Sequence, residues 1–375
     1  DPCEKFKPHV LETNKYDPID VDLAAKMHKA IAVCQFKVEG QRIKAHPEYK
    51  LEKRLLLDKV DPERKTVNVE GTEWPLRDWN FPTVDFNDPY KLTDEEETLL
   101  NALEASFLNS EKLQRHIRFL FSHGGLYTIC NGNLLFHGCV PIDENGEFQY
   151  VELNNQRLCG KALFDYLDSE VRRAYFTPAK AEETGILGDI MWYLWLGGDS
   201  PLFGKEKMTT FERLFIGDKK ANKEPTRPYY LMRDNRELCE KILREFGLDP
   251  DKGSKILNGH VPVKIKDGES PIKGGGLLYV IDGGMSKAYQ KDTGIAGYTF
   301  IYNSRFMALA EHKPYSPLQE DGSQEFHSPK MIEVEEMPRR LLIADTDQGA
   351  DYAGRVRDLQ DLLMAYKEGI IKEVY

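Results

Sequence analysis

Two histidines, each beside a glycine at the end of an apolar run, are the residues of this chain best placed to do chemistry. His137 follows Asn133-Leu134-Leu135-Phe136 and precedes Gly138-Cys139-Val140-Pro141. His260 follows Ile256-Leu257-Asn258-Gly259 and precedes Val261-Pro262-Val263. A strand that ends at a histidine turns an imidazole into a cleft, and the adjacent glycine lets backbone come close to a ligand. Neutral imidazole is a borderline ligand for divalent transition metals, so the pair reads as half of a metal centre. Taken singly, either histidine reads as a satisfied structural residue, and only the repeated context singles them out. The carboxylates and asparagine that would complete such a centre are not evident.

The elements that must position these side chains are legible around them. Leu126–Cys130 and Asn133–Phe136 flank Asn131-Gly132, the strongest short hairpin signal. Lys255–Asn258 reads as a short buried strand and Leu277–Ile281 as a clearer one; Tyr298–Tyr302, Phe306–Ala310 and Met331–Glu335 follow. Helices are expected near 158–174 and 235–247, and a polar one over the last ~25 residues. Residues 312–329, rich in Pro, Ser, Gly and His, predict a loop.

The N-terminal third has a different texture. Ala24, Ala25, Met27, Ala30, Ile31, Val33 and Phe36 recur at helical spacing within 18–58, with Asp17 or Asp20 as cap, and predict a core-facing stripe. Short strands and turns follow over 59–92, with an aromatic stretch from Trp74 to Phe86 that reads as packing or an interface. Thr93-Asp94-Glu95-Glu96 is a capping box ahead of a helix broken at Asn109-Ser110 and running to about Phe121. The expected division is a mostly helical accessory region over 1–122 and an α/β domain over 123–375.

The 375 residues carry a net charge of -11, which argues against a general nucleic-acid binder. No apolar run reaches the ~18 residues of a membrane span, and no signal-peptide pattern opens the chain. Six scattered cysteines without a C-x-x-C pair point to thiols in a reducing cytoplasm. The chain opens Asp1-Pro2-Cys3 without a methionine, as an excised piece of something longer would.

Four further residues are candidates for phosphate or substrate binding. Gly283-Gly284-Met285-Ser286-Lys287 follows a strand, so backbone N–H groups with Ser286 and Lys287 can cradle a phosphate; a tight turn with a surface lysine is the alternative. Lys205, after Gly198-Asp199-Ser200-Pro201, is a second, against a capped turn. Arg227, between Thr226 and Pro228, is a third, as a phosphate or effector contact against a surface-loop arginine. His123, before Gly124-Gly125, is read as structural.

The two histidine contexts resemble the last two motifs of the calcineurin-like metallophosphatases. A more specific resemblance lies in Ile281–Gln290, Thr293–Thr299, Ile301–Ser304 and Trp195–Lys205, which look like the class III fructose-1,6-bisphosphatases of Firmicutes and carry the likeness over nearly the whole chain. The resemblance implies a two-sheet sandwich flanked by helices, with residues 1–122 as a helical insertion. It further implies a cytoplasmic, Mn²⁺-dependent enzyme of gluconeogenesis, with one or two ions. Such an enzyme hydrolyses the 1-phosphate of fructose 1,6-bisphosphate by attack of a metal-bound hydroxide. His137 and His260 would then ligate the same cation. Homo-oligomerisation and regulation by nucleotides or glycolytic metabolites are also within what the family allows.

The family's earlier motifs, D-x-H, G-D-x-x-D-R and G-N-H-[DE], are absent. Gly188-Asp189 leads into Ile190-Met191-Trp192-Tyr193, Gly132-Asn133 is followed by Leu134, and no D-x-H occurs. The chain therefore resembles the C-terminal portion of such an enzyme. The catalytic histidine and carboxylate ligands are expected in an N-terminal metallophosphatase segment ahead of Asp1, and little activity is expected from the isolated chain. The rival readings are a non-catalytic, phosphometabolite-binding regulatory fragment and a metallophosphatase of other phosphoester specificity.

Overall fold

The structure is a computed structural model that describes residues 3–8, 20–177, 184–282, 293–294, 297–313 and 328–372. These form nine α-helices and thirteen strands in a mixed α/β arrangement. They fall into two compact units: Asp1–Leu126 with Cys139–Leu231, and Tyr127–Gly138 with Met232–Tyr375. Among the described residues no helix is long and apolar enough to cross a membrane.

In the first unit α1 (Val21–Ala45) starts where the Asp20 carboxylate accepts the Asp22 and Leu23 amides, each at 3.0 Å. Its Ala25, Ala32, Val33 and Phe36 pack on Phe6, Val67, Phe211 and Phe215. The core stripe differs from the one expected from periodicity. Met27 and Ile31 are exposed, while Lys29 and Lys37 are buried. Both lysines are inside because acids distant in sequence meet them: Asp78 lies 2.7 Å from Lys29 Nζ and Glu96 2.7 Å from Lys37 Nζ. Removing one partner of such a pair costs about 3–5 kcal/mol, since the other charge stays buried alone.

Three short strands, β1 (Val60–Asp61), β2 (Thr66–Val69) and β3 (Thr72–Pro75), form an antiparallel ladder beneath this core. The Thr93 capping box starts α2 (Asp94–Leu108), the Glu96 carboxylate accepting from the Thr93 amide at 2.9 Å as well as from Lys37. Ser110 caps α3 (Glu111–His123). The chain then gives β4 (Tyr127–Cys130) and β5 (Asn133–Phe136) to the second unit. It returns with the β6 (Val151–Leu153) and β7 (Gln156–Leu158) hairpin and with α4 (Gly160–Phe176), α5 (Thr184–Leu196), α6 (Thr210–Phe215) and α7 (Pro228–Met232). Leu163 and Leu167 of α4 and Ile190 and Tyr193 of α5 make a second core with Ile43 and Tyr49.

The second unit is built on a five-stranded sheet of order β4-β5-β8-β10-β9. Helix α8 (Arg236–Glu245) precedes β8 (Ile256–Asn258), β9 (Ile272–Lys273) and β10 (Leu278–Val280). The β4–β5 hairpin turns on Asn131 and Gly132, both at positive φ (48° and 75°), as a two-residue turn between twisted strands requires. Strands β5, β8 and β10 run parallel, with β4 and β9 antiparallel at the edges. The apolar runs Ile256-Leu257 and Leu278-Tyr279-Val280 are buried, as parallel strands demand. A three-stranded antiparallel sheet of β11 (Gly297–Tyr302), β12 (Phe306–His312) and β13 (Lys330–Glu336) follows, and α9 (Asp347–Lys367) closes the unit. Most of the loop expected over 312–329 lies outside the described residues.

Candidate functional site

Three adjacent parallel strands end together in the second unit. Leu134–Phe136 pair in register with Ile256–Asn258, and Ile256–Asn258 with Leu278–Val280. The residues just beyond those ends are His137, Gly259-His260 and Ile281-Asp282. The carboxyl ends of parallel strands are where open α/β sheets hold ligands.

The structure brings the two histidines together. His137 Nε2 lies 3.1 Å from His260 Nδ1, with ring centroids 5.0 Å apart and planes crossing at 78°. Two nitrogens sharing one cation at the usual ~2.1 Å are about 3.0–3.4 Å apart when cis, so this separation matches two ligands of one ion. The His137 ring is exposed and that of His260 half-buried, which leaves the pair open to solvent.

Backbone geometry holds this arrangement. His260 sits at φ 67°, left-handed for a residue with a side chain, in a three-residue turn closed by the Val261 amide on the Gly259 carbonyl at 2.8 Å. Such a conformation costs about 1–3 kcal/mol and is retained where the surroundings enforce it. The enforcement comes from Asn258 and Gly259. Asn258, 1% exposed, donates its Nδ2 to the carbonyls of His137 at 3.1 Å and Gly138 at 2.7 Å. The Gly259 amide donates to the His137 carbonyl at 3.1 Å. A Cβ on Gly259 would stand 3.4 Å from His137 Nδ1 and 3.9 Å from the Asp282 Cβ, filling the space between them.

Asn258 and Asp282 are the site residues that the sequence reading did not assign. Asn258 had a signal: a polar side chain closing a buried strand directly before Gly-His. Its Oδ1 is buried and has no hydrogen-bond partner among the described residues, an exception among buried amides. Asp282 is placed by pairing: the Val263 amide donates to its carbonyl at 3.1 Å, and the Ile281 amide to Asn258 at 2.9 Å. Among the described residues no group of three or more His, Cys, Asp or Glu is arranged to hold a metal. The donors at hand are two imidazoles, a set that needs oxygen ligands before it suits a hard cation.

The phosphate candidates are only in part among the described residues. Ser286 and Lys287 lie outside the described residues. Lys205 and Arg227 belong to the first unit, where their segments meet in an antiparallel bridge between Lys205 and Thr226. Lys205 Nζ lies 2.6 Å from Glu224, which also accepts from the Thr209 amide and hydroxyl at 2.9 Å and pairs with Arg213 at 3.1 Å. Burial alone would raise the Glu224 carboxyl, but the Lys205 and Thr209 hydrogen bonds outweigh it and hold it at about 2. Arg227 forms an ion pair with Asp199 and donates Nε to the Gly198 carbonyl at 2.7 Å. Both cations are thus engaged inside the unit.

The Firmicute fructose-1,6-bisphosphatase family model matches residues 1–368. The chain belongs to that family. It is 51% identical over 376 residues to the class 3 fructose-1,6-bisphosphatase of Clostridium botulinum (strain Alaska E43 / Type E3), covering 100% of this chain and 57% of the relative. To those of Clostridium acetobutylicum and Clostridium tetani it is 49% and 50% identical, covering 100% of this chain and 56% of each. The chain therefore spans little more than half the length of these relatives. No solved structure matches.

Proposed function

We propose that this chain carries the two-histidine part of a divalent-metal site in a fructose-1,6-bisphosphatase. The reaction is hydrolysis of the 1-phosphate ester, in which fructose 1,6-bisphosphate and water give fructose 6-phosphate and orthophosphate. The observation that carries the reading is the 3.1 Å approach of His137 Nε2 to His260 Nδ1 at the ends of adjacent parallel strands. A bound Mn²⁺ ion would supply Lewis acidity toward phosphoryl oxygens. His137 and His260 present the two nitrogens, Asn258 fixes the loop that carries His137, and the His260 turn aims its imidazole. Asp282 and the buried Oδ1 of Asn258 bring oxygen atoms to the same strand ends.

The same reading takes a calcineurin-like two-sheet sandwich as the architecture of the intact enzyme, with a cytoplasmic location, homo-oligomers and nucleotide or metabolite effectors. It assigns the remaining ligands and the catalytic histidine to a metallophosphatase segment corresponding to the part of the relatives this chain does not match. The purified chain with added Mn²⁺ then shows little phosphate release from fructose 1,6-bisphosphate. Adding the unmatched part of the C. botulinum relative restores release, and substituting His137 or His260 in the reconstituted enzyme abolishes it. Full activity of the His137→Ala, His260→Ala double variant would overturn the assignment.

A further inference from the structure

Helix α9 presents an apolar seam that its own unit leaves open. Tyr352, Val356, Leu359, Leu363 and Tyr366 follow one another at spacings of 4, 3, 4 and 3 residues, the alternation of a coiled-coil seam. All five are exposed, Leu359 at 63% and Leu363 at 53%, and the one buried residue of the helix is Gly349. An isolated helix of 21 residues is marginal in water, and most helical stability comes from packing an apolar face.

The start of α9 is fastened to the β4–β5 turn, and its far end is closed by its own cap. At the start, the Asn131 amide donates to Asp347 at 2.6 Å and the Asp347 amide to Asn131 Oδ1 at 3.0 Å, while the Thr346 hydroxyl accepts the Gly349 amide at 3.1 Å. At the far end Gly369, at φ 69°, donates to Tyr366 at 3.1 Å and Ile370 to Ala365 at 2.9 Å, the paired bonds of a Schellman cap.

We infer that α9 is a dimerisation helix whose partner is the α9 of a second copy of this chain, packed antiparallel about a two-fold axis at Asp361. The sequence is self-complementary in that register. Leu359 of one copy meets Leu363 of the other, Val356 meets Tyr366, and Tyr352 reaches the exposed Ile370 at the capped end, so each layer is filled to similar volume. The flanking positions bring no like charges together. Gln360 faces Gln360, Leu362 faces Leu362, Ala353 faces Lys367, and Arg355 faces Gly369. Arg355 is in addition paired with Asp351 of its own helix at 3.0 Å. Leu362, exposed in one copy, is covered on the axis. The inference does not depend on the phosphatase reading.

Sedimentation velocity of the 375-residue chain over a range of concentrations, without metal, tests it. A monomer–dimer equilibrium is expected. Leu359→Glu with Leu363→Glu, at positions exposed in the single copy, should weaken it by more than ~100-fold, since each copy loses two buried leucines. Amide exchange in 350–366 should also slow as concentration rises in the wild-type chain and not in the double variant. A chain that stays monomeric at tens of micromolar, or a dimer that survives the double variant, overturns the proposal. A monomer whose helix is instead protected by the unmatched part of the C. botulinum relative would assign the seam to that segment and equally overturn it.

Discussion

The strand ends that carry His137 and His260 differ from the Lys205–Arg227 region in how each treats its polar groups. In the first unit every functional-looking cation has an acid against it, Glu224 for Lys205 and Asp199 for Arg227, and Glu224 gathers Thr209 and Arg213 as well. In the second, the two imidazoles lie within hydrogen-bond reach of each other at 3.1 Å, the buried Oδ1 of Asn258 has no hydrogen-bond partner among the described residues, and His260 is held in a left-handed turn. In the first arrangement each cation is held by an acid of its own unit. The second holds donor atoms in place at a cost in strain, the pattern expected where a ligand is to be received.

This contrast is open to disruption from both sides. Glu224→Ala should have the largest effect on stability, about 2–3 kcal/mol in urea unfolding, because it strands the Thr209 donors and two cations. It should leave Mn²⁺ affinity unchanged; a parallel loss of affinity would erase the distinction between the regions. Asn258→Ala should cost about 2 kcal/mol, by removing bonds to the His137 and Gly138 carbonyls, and should lower Mn²⁺ affinity at least tenfold. A stability loss with affinity intact would demote Asn258 to a packing role.

His260→Gly should move in the opposite direction, raising stability by up to about 1 kcal/mol by relieving the positive φ while abolishing cation binding. Thermal unfolding and metal titration on the same sample check both halves, and a destabilised variant would show that the turn is unstrained. The smallest effect concerns pH. The Glu224 carboxyl is held at about 2, below its ordinary value of 4.5, so its contribution to stability is complete above 4.5 and is lost as pH falls toward 2. Glu224→Gln should flatten that part of the acid-unfolding profile; an unchanged slope would show that other carboxylates control it.

Much of this was legible from local pattern. Asn131-Gly132 specified a hairpin because two consecutive left-handed residues suit that turn, and Thr93-x-x-Glu96 specified a helix start because both partners of the reciprocal bond are present. Glycine beside each histidine marked the strand ends. What stayed hidden depends on residues distant in sequence. Apolar periodicity put Met27 and Ile31 toward the core, whereas Lys29 and Lys37 are the ones inside, because Asp78 and Glu96 meet them across 49 and 59 residues. Asp282 lies beside the histidines only because β10 runs beside β8, and the acids that meet Lys205 and Arg227, Glu224 and Asp199, stand 19 and 28 residues away in sequence.

The central claim is that His137 and His260 are two ligands of one cation. Titration of Mn²⁺ into the 375-residue chain, followed by the loss of free-ion electron paramagnetic resonance signal, tests it most directly. Weak binding of one ion is expected, since two imidazoles form only part of a coordination shell. His137→Ala and His260→Ala should each abolish it, with the double variant no weaker than either single one, while Lys205→Ala and Arg227→Ala leave it unchanged. Binding that survives either histidine substitution, or that drops in additive steps as two separate sites would, contradicts the account.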